Sequence, residues 1–426
     1  MIANIDRTKA PEAFPLHNIN LIHAQQLVLS NGMQVYCIEG SEEEVVRLEL
    51  VFKTGTRAER NVLIASVTNH LLNAGTSKMS SAEIMEKIDF YGAYYQHDNQ
   101  LDRCSLSLYT LKKYFDETVS IFSEFIQDPI FPEDELETYI KNAKQRFEIN
   151  CTKNDFRARR EFHHALFGTH PYGRKVELSD FHRLRREDLV AFHKEHYQLE
   201  NAYIILSGNL DSDVLNSLEK AFYTFQFKEK SKLEFLPVPI LESKTIFEER
   251  PDALQSAIRI GKQIIHKTHK DYIELSVLST ILGGYFGSRL MANIREDKGF
   301  TYGIGAGVYP LLDTSFFYIA TEVGVDVTQQ ALNEIYHEID RLSTELVPND
   351  ELQLVKNYLK GAYIGSIENI FSHADKFKSI RLYDLDYDYY SRYFKLVDEV
   401  SSERLLHLAK EYFQRNTLTE VVIGKK

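Results

Sequence analysis

Arg295 and Tyr302 stand seven positions apart, on either side of Gly299, and their types and spacing could do chemistry. Leu290, Met291 and Ile294 recur three and four apart with charged residues between them. That spacing predicts a helix carrying Arg295 in its last turn, and Gly299 is placed to end it. Phe300, Thr301 and Tyr302 then start an extended run through Ile304 and Val308, with Tyr302 at its head. A cation and a phenol delivered from two rigid elements can converge on one atom, such as a carbonyl oxygen that becomes an oxyanion. The same residues also suit a plain helix–glycine–strand junction with a surface arginine and a half-buried tyrosine. Among the histidines, His193 and His196 lie three apart and could in principle bind a metal. A second copy of that segment carries Ala409 and Tyr412 there, which favours an ordinary helix end. His163 and His164 face different ways on a helix, and His17, His23, His266 and His269 have no partner motif. There is no P-loop, nucleophile elbow or dinucleotide glycine fingerprint.

The elements that must position these residues come in two copies. Pro132-Glu133-Asp134-Glu135-Leu136 recurs as Pro348-Asn349-Asp350-Glu351-Leu352, at an offset of 216. Leu189 to Gly208 recurs as Leu405 to Gly424 at the same offset. Two anchors at one offset indicate a tandem of two similar domains, expected over residues 1–227 and 245–426. A linker over 228–244 is marked by Lys228, Lys230, Lys232, Pro237 and Pro239. In the first copy, strands are predicted at Met33–Glu39 and Val45–Lys53, separated by the acidic turn Ser41-Glu42-Glu43-Glu44. Helices follow at Val62–Leu72 and Ala82–Phe90, then strands at Tyr91–Asp98 and Cys104–Thr110. Helices are expected at Tyr114–Gln127, from Pro132 to about Cys151, at Phe156–Phe167 and at Arg186–Tyr197, before a strand at Ala202–Ser207. Strands in hairpins and helices in blocks give an α+β fold, each domain a largely antiparallel sheet covered by helices.

Composition narrows the function. A chain of 426 residues with 43% hydrophobic and 26% charged residues can bury two cores. The net charge of −12 leaves no excess of cations to neutralise phosphates, so no nucleic-acid partner is expected. The clusters at Arg157, Arg159, Arg160 and at Arg183, Arg185, Arg186 read as solvated helix faces. Cys37, Cys104 and Cys151 are odd in number and widely spaced, which suits unpaired thiols in a reducing compartment. Residues 1–16 lack an apolar core and hold two prolines, and no run of eighteen apolar residues occurs. A cytoplasmic protein with no signal peptide and no membrane partner is therefore expected.

The whole stretch from Ser288 to Gly303, with its lead-in Gly283 to Leu290, resembles the C-terminal-domain signature of the insulinase/pitrilysin metallopeptidases, the inverzincins named for an inverted H-x-x-E-H zinc motif. The resemblance implies that Arg295 and Tyr302 reach across to the zinc site of a catalytic domain, holding substrate backbone and tetrahedral intermediate. It also implies a zinc motif on the first long helix after the opening strands. Its two histidines would lie on one helical face, with a glutamate between them as general base. The matching window is His70-Leu71-Leu72-Asn73-Ala74-Gly75-Thr76. Only the first histidine is kept: Asn73 stands at the general-base position and Ala74 at that of the second ligand. An amide cannot take a proton near neutral pH and a methyl cannot bind metal. The third ligand falls in the window Lys144 to Cys151, where Glu148 is the only carboxylate and the alignment prefers Lys144 to Arg146. His70 and Glu148 would make two ligands, one short of a catalytic site.

The resemblance thus implies a chain without a cofactor of its own that gives Arg295 and Tyr302 to a homologous subunit bearing the zinc. The pair would be a heterodimer, or a homodimer, that cuts unfolded peptides. Two alternatives remain open: a self-sufficient zinc endopeptidase with an atypical ligand set, and a non-enzymatic structural or peptide-binding subunit.

Overall fold

The computed structural model describes residue 8 and residues 20–40, 42–225 and 236–426. The first part of the expected linker, 228–235, and Ser41 of the acidic turn lie outside the described residues. In the first half, β1 (Gln25–Val28), β2 (Gln34–Glu39) and β3 (Val45–Phe52) precede α1 (Ile64–His70) and α2 (Ser81–Phe90). The hairpin β4 (Tyr94–Asn99) and β5 (Cys104–Leu111) follows, then α3 (Phe115–Gln127), α4 (Glu133–Cys151), α5 (Asn154–Phe167), α6 (Leu178–Phe181) and α7 (Arg186–His196). Strand β6 (Ala202–Gly208) and helix α8 (Ser212–Phe222) complete the half. The second half runs β7 (Thr245–Glu249), β8 (Gln255–Ile264), α9 (Tyr272–Ser279), β9 (Ile304–Pro310) and β10 (Ser315–Gly324). It ends with α10 (Thr328–Thr344), α11 (Asn349–Gly365), α12 (Ile370–Arg381), α13 (Asp388–Glu399), α14 (Ser402–Tyr412) and β11 (Thr419–Gly424).

The two sheets have corresponding orders, β1-β2-β6-β3-β5-β4 and β7-β11-β8-β10-β9. Among the described residues, only β2–β6 and β11–β7 pair in parallel; the other ladders are antiparallel. The repeated segments occupy equivalent elements: α7 matches α14, β6 matches β11, and α4 and α11 both start directly after a proline. This is the expected tandem α+β architecture.

Period-two alternation sends each sheet's faces to different cores. Val46, Leu48, Leu50 and Phe52 of β3 face the first half's own helices. Val51, with Tyr36 and Ile38 of β2 and Tyr203 and Ile205 of β6, packs instead with residues of the second half. Helix α12 covers that face, bringing Ala374, Phe377 and Ile380. The exchange is reciprocal. Helix α5 of the first half lies on β8 and β11 of the second sheet, where Ala158, Phe162, Leu166 and Phe167 pack on Ala257, Val421 and Ile423.

Several boundaries differ from the sequence reading, each for a local reason. Pro132 is the residue before α4 rather than its first residue. The strand expected from Tyr91 starts at Tyr94, because Gly92 takes a left-handed turn (φ +62°) with its N–H on the Asp89 carbonyl. Helix α1 stops at His70, and Leu72–Ala74 form a 3-10 turn. The helix expected across Arg295 is π-helical over Met291–Asp297, as is Thr280–Gly284 just before it. Gly283 is pressed against β9 so closely that a Cβ there would lie 2.6 Å from the Ala306 nitrogen.

Candidate functional site

Arg295 sits in the π-helical segment, whose wide turn is closed by the Lys298 N–H on the Asn293 carbonyl. Gly299 then adopts φ +65°, and the Phe300 N–H returns to the Ile294 carbonyl at 2.9 Å. Such wide turns inside helices recur at functional sites. The Arg295 guanidinium stacks on Phe286, 4.3 Å from the ring centroid, and its Nη1 lies 3.0 Å from the Glu296 carboxylate. Tyr302 lies on a bend two residues ahead of β9, not at the strand's head. It is 94% exposed, more than the half burial that a plain helix–glycine–strand junction implies. The bend is nonetheless rigid. The Thr301 hydroxyl donates to the Glu322 carbonyl at 2.7 Å, and the Thr321 hydroxyl donates to the Gly303 carbonyl at 2.9 Å. Tyr302 is thus a projecting phenol on a pinned loop, with no hydrogen-bond partner among the described residues. The π segment is tied to the same strand by the Ile304 N–H on Met291 Sδ.

The degenerate zinc window is built from α1, β4 and α4. His70 closes α1, its ring 4.8 Å from Tyr139 and 5.9 Å from His97. Partial desolvation of the ring, and then the nearby Arg146 charge, lower its pKa. His97 is pushed to about 4, first by burial and then by His70. Asn73 donates its amide hydrogen to the Tyr95 hydroxyl, and Ala74 is buried in the 3-10 turn. The i, i+4 face on which a histidine pair depends is therefore interrupted after its first member. Tyr139 and Arg146 are seven apart and share one face of α4, turned toward His70. Glu148 stands two positions on, about 200° round the helix, and is exposed. The side chain that α4 packs on His70 is the Tyr139 phenol, with the Arg146 charge near enough to lower the imidazole pKa. Lys144 is likewise engaged elsewhere, 3.4 Å from His182 Nε2.

A family profile described as insulinase (peptidase family M16) matches residues 35–179, and one described as peptidase M16 inactive domain matches residues 183–359. The chain belongs to the insulinase family. A zinc protease of Helicobacter pylori, PqqE, is 22% identical over 94% of this chain and 92% of its own length. A second protein of that organism, named non-peptidase homolog YmxG, is 20% identical over 89% of each. The crystal structure of a peptidase M16 inactive domain from Pseudomonas fluorescens superimposes with a TM-score of 0.86 at 22% identity, over 95% of this chain and 98% of that one.

Family membership raises the question of zinc, and the donor set here does not fit it. One imidazole packed on a phenol, with a guanidinium charge nearby, stands beside an amide already used as a donor and a methyl group. Catalytic zinc needs three ligands and an open position for water, and a second positive charge beside the ion works against binding. Among the described residues, no three His, Cys, Asp or Glu side chains group so as to hold a metal. The sequence reading named Arg295, Tyr302 and His70 and weighed Arg146 at the third-ligand position, but it did not single out Tyr139, His97 or Phe286, which the structure places beside them. Tyr139 could have been read from its seven-residue spacing to Arg146 on a long helix. His97 and Phe286 had no signal, because their places depend on β4 and on the π segment. Among the described residues, no helix is long and apolar enough to cross a membrane.

Proposed function

We propose that this chain is the zinc-less, complementary subunit of a two-subunit metallopeptidase. Its homologous partner would supply the H-x-x-E-H helix, the zinc and the general base. This chain would supply Arg295 to hold the substrate backbone and Tyr302 to donate to the developing oxyanion. The observation that carries the reading is an asymmetry. The exposed phenol is held on a pinned bend, with the cation on the π segment tied to the same strand, while the zinc positions have been given to an amide, a methyl and a nearby arginine. An oxyanion donor must be fixed before reaction to be worth its full contribution, and the hydrogen bonds of Thr301 and Thr321 provide that fixation. A zinc-protease-named and a non-peptidase-named relative in one organism support a division of labour of this kind. The substrates would be unfolded peptides. The non-peptidase name also favours a second reading, a purely structural or peptide-binding subunit.

The test is to purify the chain alone and with a homologue carrying the intact motif, and to assay a quenched peptide. The chain alone should show no activity that tracks bound zinc. In the complex, Tyr302→Phe should lower kcat by roughly 10²–10³ with a small change in KM. A complex that loses no rate on Tyr302→Phe leaves the structural reading; activity of the lone chain that follows zinc content defeats both.

A further inference from the structure

The two copies of the repeat differ sharply in chemistry at one place. In the first half the 3-10 turn Leu199–Asn201 leads into β6. Leu199 and Ile204 are buried there in one apolar cluster with Val214, Leu218 and Phe222 of α8. In the second half the 3-10 turn Arg415–Thr417 leads into β11 in the same way. The 216-residue offset puts Arg415 at the position of Leu199 and Glu420 at that of Ile204. Among the described residues, no helix follows β11 as α8 follows β6. An open cavity of about 610 Å³ lies against α10, beside β7 and β11.

Three cationic side chains, Lys244, Arg415 and Lys426, line this cavity with a single carboxylate, Glu420. Glu420 is 7% exposed and already matched: it accepts from the Tyr336 hydroxyl at 3.0 Å and pairs with Lys426 at 2.9 Å. Tyr336, so held, carries the Arg415 guanidinium 4.2 Å from its ring centroid. The backbone of Lys244 is fastened to β11, its carbonyl accepting from the Glu420 N–H at 2.8 Å and its N–H donating to the Thr419 hydroxyl at 3.3 Å. Neither Arg415 nor Lys244 has an ion-pair partner among the described residues. Exposed cations are ordinary. A guanidinium plane fixed on a ring that a buried carboxylate fixes in turn is a mounted donor, with its N–H edge free. A planar fork and a compact ammonium in one cavity suit a phosphoryl group. The two unmatched charges also equal those of a phosphate monoester, about −1.5 to −2 at neutral pH. The cavity lies within the roughly 300–1,000 Å³ of small-molecule sites, and the amides of Gln329 and Asn333 line it as well.

We propose that this cavity is a binding site for a small phosphate monoester, with Arg415 and Lys244 holding the phosphoryl group and Gln329 and Asn333 facing the rest of the molecule. The site shares no residue with Arg295 and Tyr302 and needs no zinc-bearing partner, so its failure would leave the peptidase reading untouched. The probe is phenyl phosphate, titrated calorimetrically into the full chain at constant ionic strength, with benzoate as a singly charged comparison. Phenyl phosphate should bind roughly 10-fold tighter than benzoate. Arg415→Leu, which installs the residue of the first copy, and Lys244→Gln should each weaken it roughly 10-fold, as loss of a charge-assisted hydrogen bond does. Arg60→Gln removes an exposed guanidinium of the first half and should change nothing. Arg415 and Lys244 are both exposed, so unchanged thermal melting shows that the variants fold. Inorganic phosphate should compete but bind more weakly; equal affinity would refute the role given to Gln329 and Asn333. No binding of phenyl phosphate, equal affinity for benzoate, or a loss with Arg60→Gln as large as with Arg415→Leu overturns the site.

Discussion

At the scale of single residues, the mismatch with a zinc donor set is spread over three elements, so one or two substitutions should not repair it. His70 ends α1, Ala74 belongs to a 3-10 turn rather than to the same helix, and α4 turns Tyr139 and Arg146 toward the imidazole. The double variant Asn73→Glu, Ala74→His restores the motif on paper. It leaves the third ligand missing and the guanidinium charge in place. Metal analysis after dialysis should find no stoichiometric zinc on the double variant. Stoichiometric zinc there would show that the 3-10 turn and Arg146 are no obstacle. Tyr302 poses the opposite case, because its chemistry needs only that a loop be held still. Thr301→Val removes the hydroxyl that donates to the Glu322 carbonyl. It should therefore lower kcat in the assembled enzyme by several-fold while leaving the phenol intact, a loss of positioning rather than of the donor.

At the scale of elements, α1 is short and oddly started, and its support titrates. Leu63, before its first residue, has φ +78°, and the Ala65 N–H donates to the buried Glu59 carboxyl at 3.0 Å. Burial raises the Glu59 pKa to about 8, although that hydrogen bond and Arg174 pull the other way. The unfolded chain releases this proton near pH 4.5 and the folded chain near 8. The stabilisation is complete below about pH 4.5 and is lost as pH rises through 8, on the order of a few kcal/mol. His97 and His163 act with the reverse sign. Burial depresses both to about 4, so the stability they preserve is present above about 6.5 and is lost as pH falls toward 4. Urea unfolding of Glu59→Gln should show a stability gain over the parent that grows between pH 5 and 9. A gain independent of pH would mean that the carboxyl is not held protonated.

What the sequence made legible at this scale follows the same physics. The 216-residue repeat found α7 with α14 and β6 with β11, because those elements bury equivalent apolar faces in both copies. The early end of α1 and the two π segments were not legible. Apolar spacing cannot separate a helical turn from a 3-10 or π turn, and the close approach of Gly283 to β9 exists only in the folded chain. Arg295 and Tyr302 were named by type and spacing; their mounts, Phe286 and Thr301, lie in the same stretch, but the ring stacking and the hydrogen bond from Thr321 of β10 are set by the fold and not by spacing.

At the scale of the molecule, each sheet depends on a helix from the other half, and the strand that shows this best is β3. Its alternation puts Arg47 and Glu49 on the face covered by α12, nearly fully buried in a strand that is otherwise apolar. Across that seam Arg47 Nη2 reaches Asp375 at 3.1 Å and the Phe371 carbonyl at 3.0 Å. Lys378 donates to Glu49 at 2.7 Å, beside the Ser105 hydroxyl at 2.9 Å. A tandem protein ordinarily unfolds domain by domain. Here separation would strip Tyr36, Ile38 and Val51 of their cover on one side and Val421 and Ile423 on the other. Denaturation should accordingly be a single transition, coincident by circular dichroism and by tyrosine fluorescence. The Lys378–Glu49 pair gives the sharper test, since a buried carboxylate deprived of its cation is costly whereas an apolar replacement of the pair is not. Lys378→Met alone should destabilise by about 3–5 kcal/mol. Adding Glu49→Gln should recover most of that loss, because the amide retains an acceptor for Ser105 without a charge. If Lys378→Met costs nothing, the pair contributes nothing and the seam is held by its apolar contacts alone. The single transition should then persist without the pair.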